Sequence, residues 1–212
     1  DGVLLILRGV NLNANADPED MVSIRIFVDS HRVVSVQKRP LRAVADIQSK
    51  LIKGSGPNNN SDLITLLMGL LFARMAPVAT GLSEVMDTIE EHILDGADSL
   101  DREKVLVIRR KAIALKRYIH PQRDLVIRMM ESKPALIDEI GYRRLIEAQD
   151  SLCRIIDELD AVRERAHIIN DEVTNLLTKR LNKNMYALSV IAAIFLPLGF
   201  LTGLLGINIA GI

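Results

Sequence analysis

From Asn184 to Ile212 the chain carries no charged side chain. Within that stretch, Met185 to Ile207 spans about 23 residues and roughly 34 Å as a helix, enough to cross a hydrocarbon layer of about 30 Å. It predicts a transmembrane helix near the C-terminal end; the alternative is a buried core helix. Its position excludes a signal peptide. The chain opens on Asp1, leads directly into Val3-Leu4-Leu5-Ile6-Leu7, and stops just past the span. Those ends suggest a portion of a longer protein, with a second membrane helix expected beyond Ile212.

The composition fits no other broad class. Hydrophobic residues make up 49% of 212, and 27 basic side chains balance 27 acidic ones. A chain so apolar and so neutral is not intrinsically disordered. It lacks the basic excess of a nucleic-acid binder. Its lone cysteine, Cys153, excludes a disulfide framework.

Residues 1–54 read as the C-terminal part of an α+β domain. Val3 to Leu7 has the pattern of a buried strand, Val22 to Val28 alternates with period two, and Val33 to Val36 returns after a turn at Asp29. A helix is expected from Leu41 to Ile52, with Leu41, Val44, Ile47, Leu51 and Ile52 at helical spacing. Gly54 to Ser61 is a linker. Residues 62–131 predict an antiparallel helical hairpin: Asp62 caps its first arm, Gly96 marks its turn, and the second arm is interrupted near His120-Pro121. Residues 134–183 form a stalk region and 184–207 the first transmembrane helix. Tyr142 to Ile207 holds only one proline, Pro197, and no glycine before Gly199. It reads as one helix of about 66 residues, roughly 100 Å, which needs partners along its length.

That helix carries two stripes. Leu152, Ile155, Leu159, Val162, Ala166, Ile169, Val173 and Leu176 form an apolar face. About 100° away lie Cys153, Asp157, Asp160, Glu164, His167, Asp171, Asn175, Thr178 and Asn182. The second stripe continues as Met185, Ser189, Ala192, Leu196, Gly199, Gly203 and Gly206. Small residues so spaced allow either close helix packing or a pore wall built from several copies around an axis. Between Asp150 and Glu172 seven acids face three arginines. Copies around an axis would therefore concentrate cations through Asp157, Asp160, Glu164 and Asp171. Lys179, Arg180 and Lys183 precede the span and place the N-terminal bulk in the cytoplasm. The acidic segment Asp87 to Glu103 reads either as a solvated tip or as a partner for that basic collar on a neighbouring helix. His167 with Glu164 and Asp171, or Cys153 with Asp157, offer metal-ligand spacing that an ordinary solvated face also explains. No phosphate loop or oriented nucleophile is visible, so an enzyme is not expected.

The segment Ile194 to Asn208, with Pro197 and the ending Gly206-Ile207-Asn208, resembles the first transmembrane helix of the CorA superfamily of divalent-cation channels and transporters. That family ends the helix in Gly-Met-Asn, so Ile207 is a departure. With the Leu201 to Gly206 lead-in and Tyr118 to Asp124, it is more similar to the ZntB zinc-transporter branch. The resemblance implies a homopentameric funnel in a bacterial inner membrane, with the stalk and first span lining the pore. It implies no resident cofactor: the divalent cation, zinc foremost, is cargo. Gly206, Ile207 and Asn208 would form the outer mouth, with Asn208 as a ring. Asn182, Met185, Leu188, Leu196, Gly199 and Gly203 would lie along the axis. The Ile207 departure favours zinc over magnesium, and coupling to protons stays open. Two other readings stay open: a CorA-type magnesium or cobalt channel, and a non-conducting, membrane-anchored coiled-coil sensor.

Overall fold

The computed structural model describes residues 2–29, 31–96, 99–132 and 136–206. The chain is α+β, with a partial sheet at one end and long helices beyond it. Strands β1 (Val3–Gly9), β2 (Val22–Val28) and β3 (Val33–Gln37) form an antiparallel meander in that order. The register pairs Val3 with Val28, Gly9 with Val22, and Ile24 with Gln37. Period-two alternation sends Leu5, Leu7, Ile24, Ile26 and Val28 into the core. Val3 to Leu7 was expected to be buried throughout, yet Leu4 and Ile6 are exposed. The helices cover only one face of the sheet.

Helix α1 (Arg42–Ile52) packs Ala43 and Ile47 inward, while Leu51 and Ile52, expected on the apolar face, are exposed. The first arm of the expected hairpin is two helices, α2 (Asn60–Ala73) and α3 (Ala76–Gly96), separated at Arg74 and Met75. The N-cap of α2 is Asn59, not Asp62. Asn59 Oδ1 accepts from Asp62 N at 2.7 Å, and Asp62 Oδ2 accepts from Asn58 N at 3.1 Å. Asn59 thus satisfies a donor of the first turn, and Asp62 ties down the residue that precedes the cap. Helix α4 (Ser99–Ser132) runs unbroken through Pro121. That proline removes the donor to the Arg117 carbonyl. Packing along α5 holds α4 together across the gap, so the expected interruption does not occur.

Helix α5 (Glu139–Leu204) is 66 residues long. At a rise of about 1.5 Å per residue it extends about 100 Å. Contacts along it fix the directions of its neighbours. Asp62 meets Arg144, and Asp87 and Glu90 meet Arg165, so α2 and α3 run parallel to α5. Helix α4 follows α3 after two residues and packs on the same helix, with Lys116 meeting Asp160, so it returns antiparallel. Leu145, Leu152, Ile155, Leu159, Val162, Ala166, Ile169 and Val173 are buried in the resulting three-helix seam. This is the apolar stripe read from the sequence, with Leu176 at its half-buried edge.

Asp138 fixes the start of α5. Its Oδ1 accepts from Gly141 N at 2.7 Å and from Ser61 Oγ at 2.8 Å, and its Oδ2 accepts from Asn59 Nδ2 at 3.2 Å. Gly141 sits in this first turn and is no break; an added Cβ would collide with Ser61 Oγ. The Gly141 amide, then the Ser61 hydroxyl, hold the Asp138 carboxyl below its ordinary value of 3.8. Arg144 does the same for Asp62, partly opposed by burial. Both groups favour the charged form in the fold. Their contribution is therefore complete above the ordinary value and lost as pH falls through the lowered one. We expect the denaturant midpoint to drop between about pH 5 and 3, and Asp138→Asn to flatten that drop. Midpoints at pH 3 and 7 test this; parallel curves for wild type and variant would contradict it.

Candidate cation pathway along the long helix

The packed seam of α5 leaves its opposite face open. Asp157, Glu164, His167, Asp171 and Asn175 are exposed there, with Cys153 half-buried at the margin. Helical geometry stacks Asp157, Glu164 and Asp171 at seven-residue steps, almost in line. The same steps continue through Thr178, Met185, Ala192, Gly199 and Gly206. Drifting by about 20° per step, the row passes along α5 from carboxylates to side chains that are mostly small near its far end, with Gly206 just beyond the last turn.

Asp160 departs from that face. Its carboxylate takes Lys116 Nζ of α4 at 2.7 and 2.6 Å, with Arg163 Nη1 at 3.5 Å. It lies toward the α4 seam, where a lysine neutralises it. The first part of the acidic hairpin segment is also committed. Arg165 of α5 forms a bidentate pair with Glu90, Nε at 3.0 Å and Nη2 at 2.7 Å, and also meets Asp87. Glu90 first, then Asp87, raise the guanidinium pKa further above its ordinary value. These two acids neither point freely to water nor wait for a distant collar; they tie α3 to α5 within one chain. The sequence carries a faint signal for this, since Arg165 falls on the flank of the apolar stripe opposite Asp160.

His167 Nδ1 stands 3.8 Å from Asp171 Oδ2, beyond hydrogen-bond reach. Among the described residues no three His, Cys, Asp or Glu side chains converge as a metal site. One chain therefore does not bring Glu164, His167 and Asp171, or Cys153 and Asp157, into a closed ligand set.

From Lys179 to Leu204 every residue of α5 is exposed except Ala192, which is half-buried. That overhang is about 26 residues and roughly 39 Å of helix. Asn182, Met185, Leu188, Leu196, Gly199 and Gly203 all lie here and are exposed. This part is long and apolar enough to cross a membrane, and none of its most apolar window is buried. The stretch Asn60–His92 passes the same length test, but 44% of its window is buried, as befits a core helix. Two hydroxyls in the overhang bond back to their own helix: Ser189 Oγ donates to Met185 O at 2.8 Å, and Thr202 Oγ1 to Leu198 O at 3.0 Å. Pro197 lies inside the helix and leaves the Ala193 carbonyl without its helical donor. A Cβ added at Gly199 or Gly203 would meet nothing. Gly206 ends the helix at φ +58. This left-handed conformation costs other residues about 1–2 kcal/mol. It gives the glycine of Gly206-Ile207-Asn208 a backbone reason. Ile207 and Asn208 lie outside the described residues.

All 212 residues match the family model described as "CorA-like Mg2+ transporter protein". Over its full length the chain is 38% identical to a divalent cation transporter, CmaX, of Pseudomonas aeruginosa. It is 35% identical to a zinc transport protein, ZntB, of Pectobacterium carotovorum. In both cases it spans 64% of the relative's length. It superposes on the structure of full-length CmaX with a TM-score of 0.91 at 37% identity, covering all of this chain and 65% of that one.

Proposed function

This chain belongs to the CorA-like Mg2+ transporter family, and from that membership we propose that it is the stalk and first-span portion of a homopentameric pore. The pore conducts divalent cations, zinc foremost, through a bacterial inner membrane, with the N-terminal bulk in the cytoplasm. The single observation that carries this reading is the continuous face of α5. It is acidic where it is covered by no neighbour, and small-sided where the helix is apolar all round. In the cytoplasm an apolar overhang of this length would have to be buried elsewhere. In a bilayer it is at home, and Lys179 and Lys183 sit at the headgroup level.

In five copies, Asp157, Glu164 and Asp171 present about fifteen carboxylates to one water-filled volume. Cations are concentrated there while still hydrated, because no chain offers a closed ligand set. They then pass the narrow face of Met185, Leu188, Leu196, Gly199 and Gly203 toward Asn208. Zinc is favoured by Ile207 in place of the family's Met and by the likeness to a zinc transport protein. His167 is the nitrogen donor nearest the path, and zinc prefers nitrogen donors beside oxygen.

Flux of Zn²⁺ and Mg²⁺ into liposomes carrying the full-length protein tests the reading. Replacing Asp157, Glu164 and Asp171 by Asn or Gln is expected to lower flux stepwise and make it less sensitive to salt, since added ions screen the same field. Asp160→Asn should leave that salt dependence unchanged and loosen α4 from α5 instead. His167→Ala should shift zinc affinity little. Unaltered flux and salt response in the triple variant would refute an electrostatic role for the stalk.

A further inference from the structure

Helix α3 carries five acids and no Lys or Arg, while α4 carries nine Lys or Arg and four acids. The two arms pack on opposite flanks of α5, α3 at Arg165 and α4 at Asp160. Those positions lie about 140° apart around the helix, and the exposed row of Asp157, Glu164 and Asp171 falls between them. Two charges on each arm take no part in that packing. Glu84 and Glu91 of α3, and Arg110 and Arg117 of α4, are exposed. Among the described residues none of the four makes an ion pair.

The four belong to two matching stripes. Glu84, Thr88 and Glu91 share one face of α3, and Arg110, Ile113 and Arg117 share one face of α4. Ile113 is 47% exposed. With Ala112 and Leu159 it floors a groove of about 370 Å³, rimmed by Lys116, Arg117 and Arg163 and lined by no carboxylate. The stripes also agree in height along α5. Glu90 is level with Arg165 and α3 runs parallel to α5, so Glu84, Thr88 and Glu91 stand level with Leu159, Arg163 and Ala166. Lys116 is level with Asp160 and α4 runs antiparallel, so Arg117, Ile113 and Arg110 stand at those same three levels.

We propose that the α4 face bearing Arg110, Ile113 and Arg117 docks on the α3 face bearing Glu84, Thr88 and Glu91 of a neighbouring copy of this chain. The proposal rests on the ring of copies inferred above and names the surfaces that close it. With the row of Asp157, Glu164 and Asp171 turned to the axis, α3 projects to one side of each copy and α4 to the other. The contact is therefore head-to-tail, the kind that closes into a ring. A cyclic ring moves no copy along its axis, so groups at one level meet: Glu84 with Arg117, Thr88 with Ile113, and Glu91 with Arg110. The Thr88 hydroxyl donates to Glu84 O at 3.1 Å, which leaves its methyl for Ile113. Exposed ion pairs of this kind set partner and register more than strength. The basic face alone would suit any anionic partner; the acidic face at the same levels selects a second copy.

Cross-linking of the full-length protein in detergent, in a Cys153→Ser background, tests the contact. Two differently tagged chains are co-expressed, one carrying Glu84→Cys and the other Arg117→Cys. A short bismaleimide should give a product bearing both tags, and neither chain expressed alone should cross-link to itself. In a second arm, Arg110→Glu with Arg117→Glu should raise the concentration at which the oligomer dissociates by about tenfold or more, because like charges then face each other. Adding Glu84→Arg with Glu91→Arg to the same chain should restore assembly, the coupling expected of groups in contact. All four side chains are exposed, so helix content by circular dichroism should be unchanged throughout. A monomeric wild type would remove the ring itself. An oligomeric wild type without the two-tag product, or a charge reversal that has no effect or that the swap does not rescue, would overturn this interface and leave the ring standing. Self-cross-linking of the Glu84→Cys chain would replace the head-to-tail contact with a face-to-face one and overturn the proposal.

Discussion

Asn208→Ala is expected to lower divalent-cation flux by about tenfold or more, equivalent to about 1.4 kcal/mol on the transport barrier, while leaving protein abundance unchanged. The span that leads to Asn208 offers no charge, and the hydroxyls of Ser189 and Thr202 bond back to their own helix. Beyond Asn182, the proposed axial positions Met185, Leu188, Leu196, Gly199 and Gly203 carry no side-chain oxygen, so on the proposed path the next one would be this amide. In a ring of five, the amide oxygens would hold the ion through its water shell, as rings of carbonyl groups do in other channels. Removing one such hydrogen bond is worth about 0.5–1.5 kcal/mol, and the substitution removes it from every subunit at once. The wild type should show a pentameric mass in detergent, and the variant should share it. Unchanged zinc uptake in the variant, or a wild type that is monomeric or dimeric, would break the ring argument.

Leu159→Ala should produce the largest loss of stability, about 2–5 kcal/mol. Leu159 is 1% exposed, in the seam where α5 meets α4 beside Ala112 and Lys116. Two long helices anchored at their ends cannot collapse into the space left behind. Ile168 supplies the contrast: it lies on the open face, 57% exposed. Within one chain Ile168→Ala should cost less than about 0.5 kcal/mol. Denaturation midpoints of both variants against wild type give the comparison. Equal small losses at the two positions would mean that the three-helix seam does not hold the stalk.

The length of α5 was legible because from Tyr142 onward only Pro197 and the glycines of the apolar span oppose a helix. Its apolar residues repeat every three or four positions from Leu145 to Val173, and the uncharged tail continues the same helix. The sheet was legible in type but not in burial: Val3 to Leu7 is apolar at every position, and only the placement of the helices shows that Leu4 and Ile6 face outward. Pro121 shows the limit of local rules. A proline predicts a break when a helix stands alone, but α4 lies along α5 and loses only one hydrogen bond.

By itself the sequence determined what depends on spacing along one chain: the helical period, the apolar stripe of α5, the charge-free span and the collar of Lys179, Arg180 and Lys183. Only the tertiary structure decided which charges remain free. Asp157 and Asp160 are three residues apart and look equivalent on a helical wheel. Yet Asp160 meets Lys116, 44 positions away, and Asp157 meets open solvent. Glu90 likewise pairs with Arg165 across 75 positions. An angle around one helix follows from residue count, but the cation that reaches a given carboxylate depends on the direction and register of a second helix. That register is set by how the buried side chains of α3, α4 and α5 interlock, which no local spacing encodes.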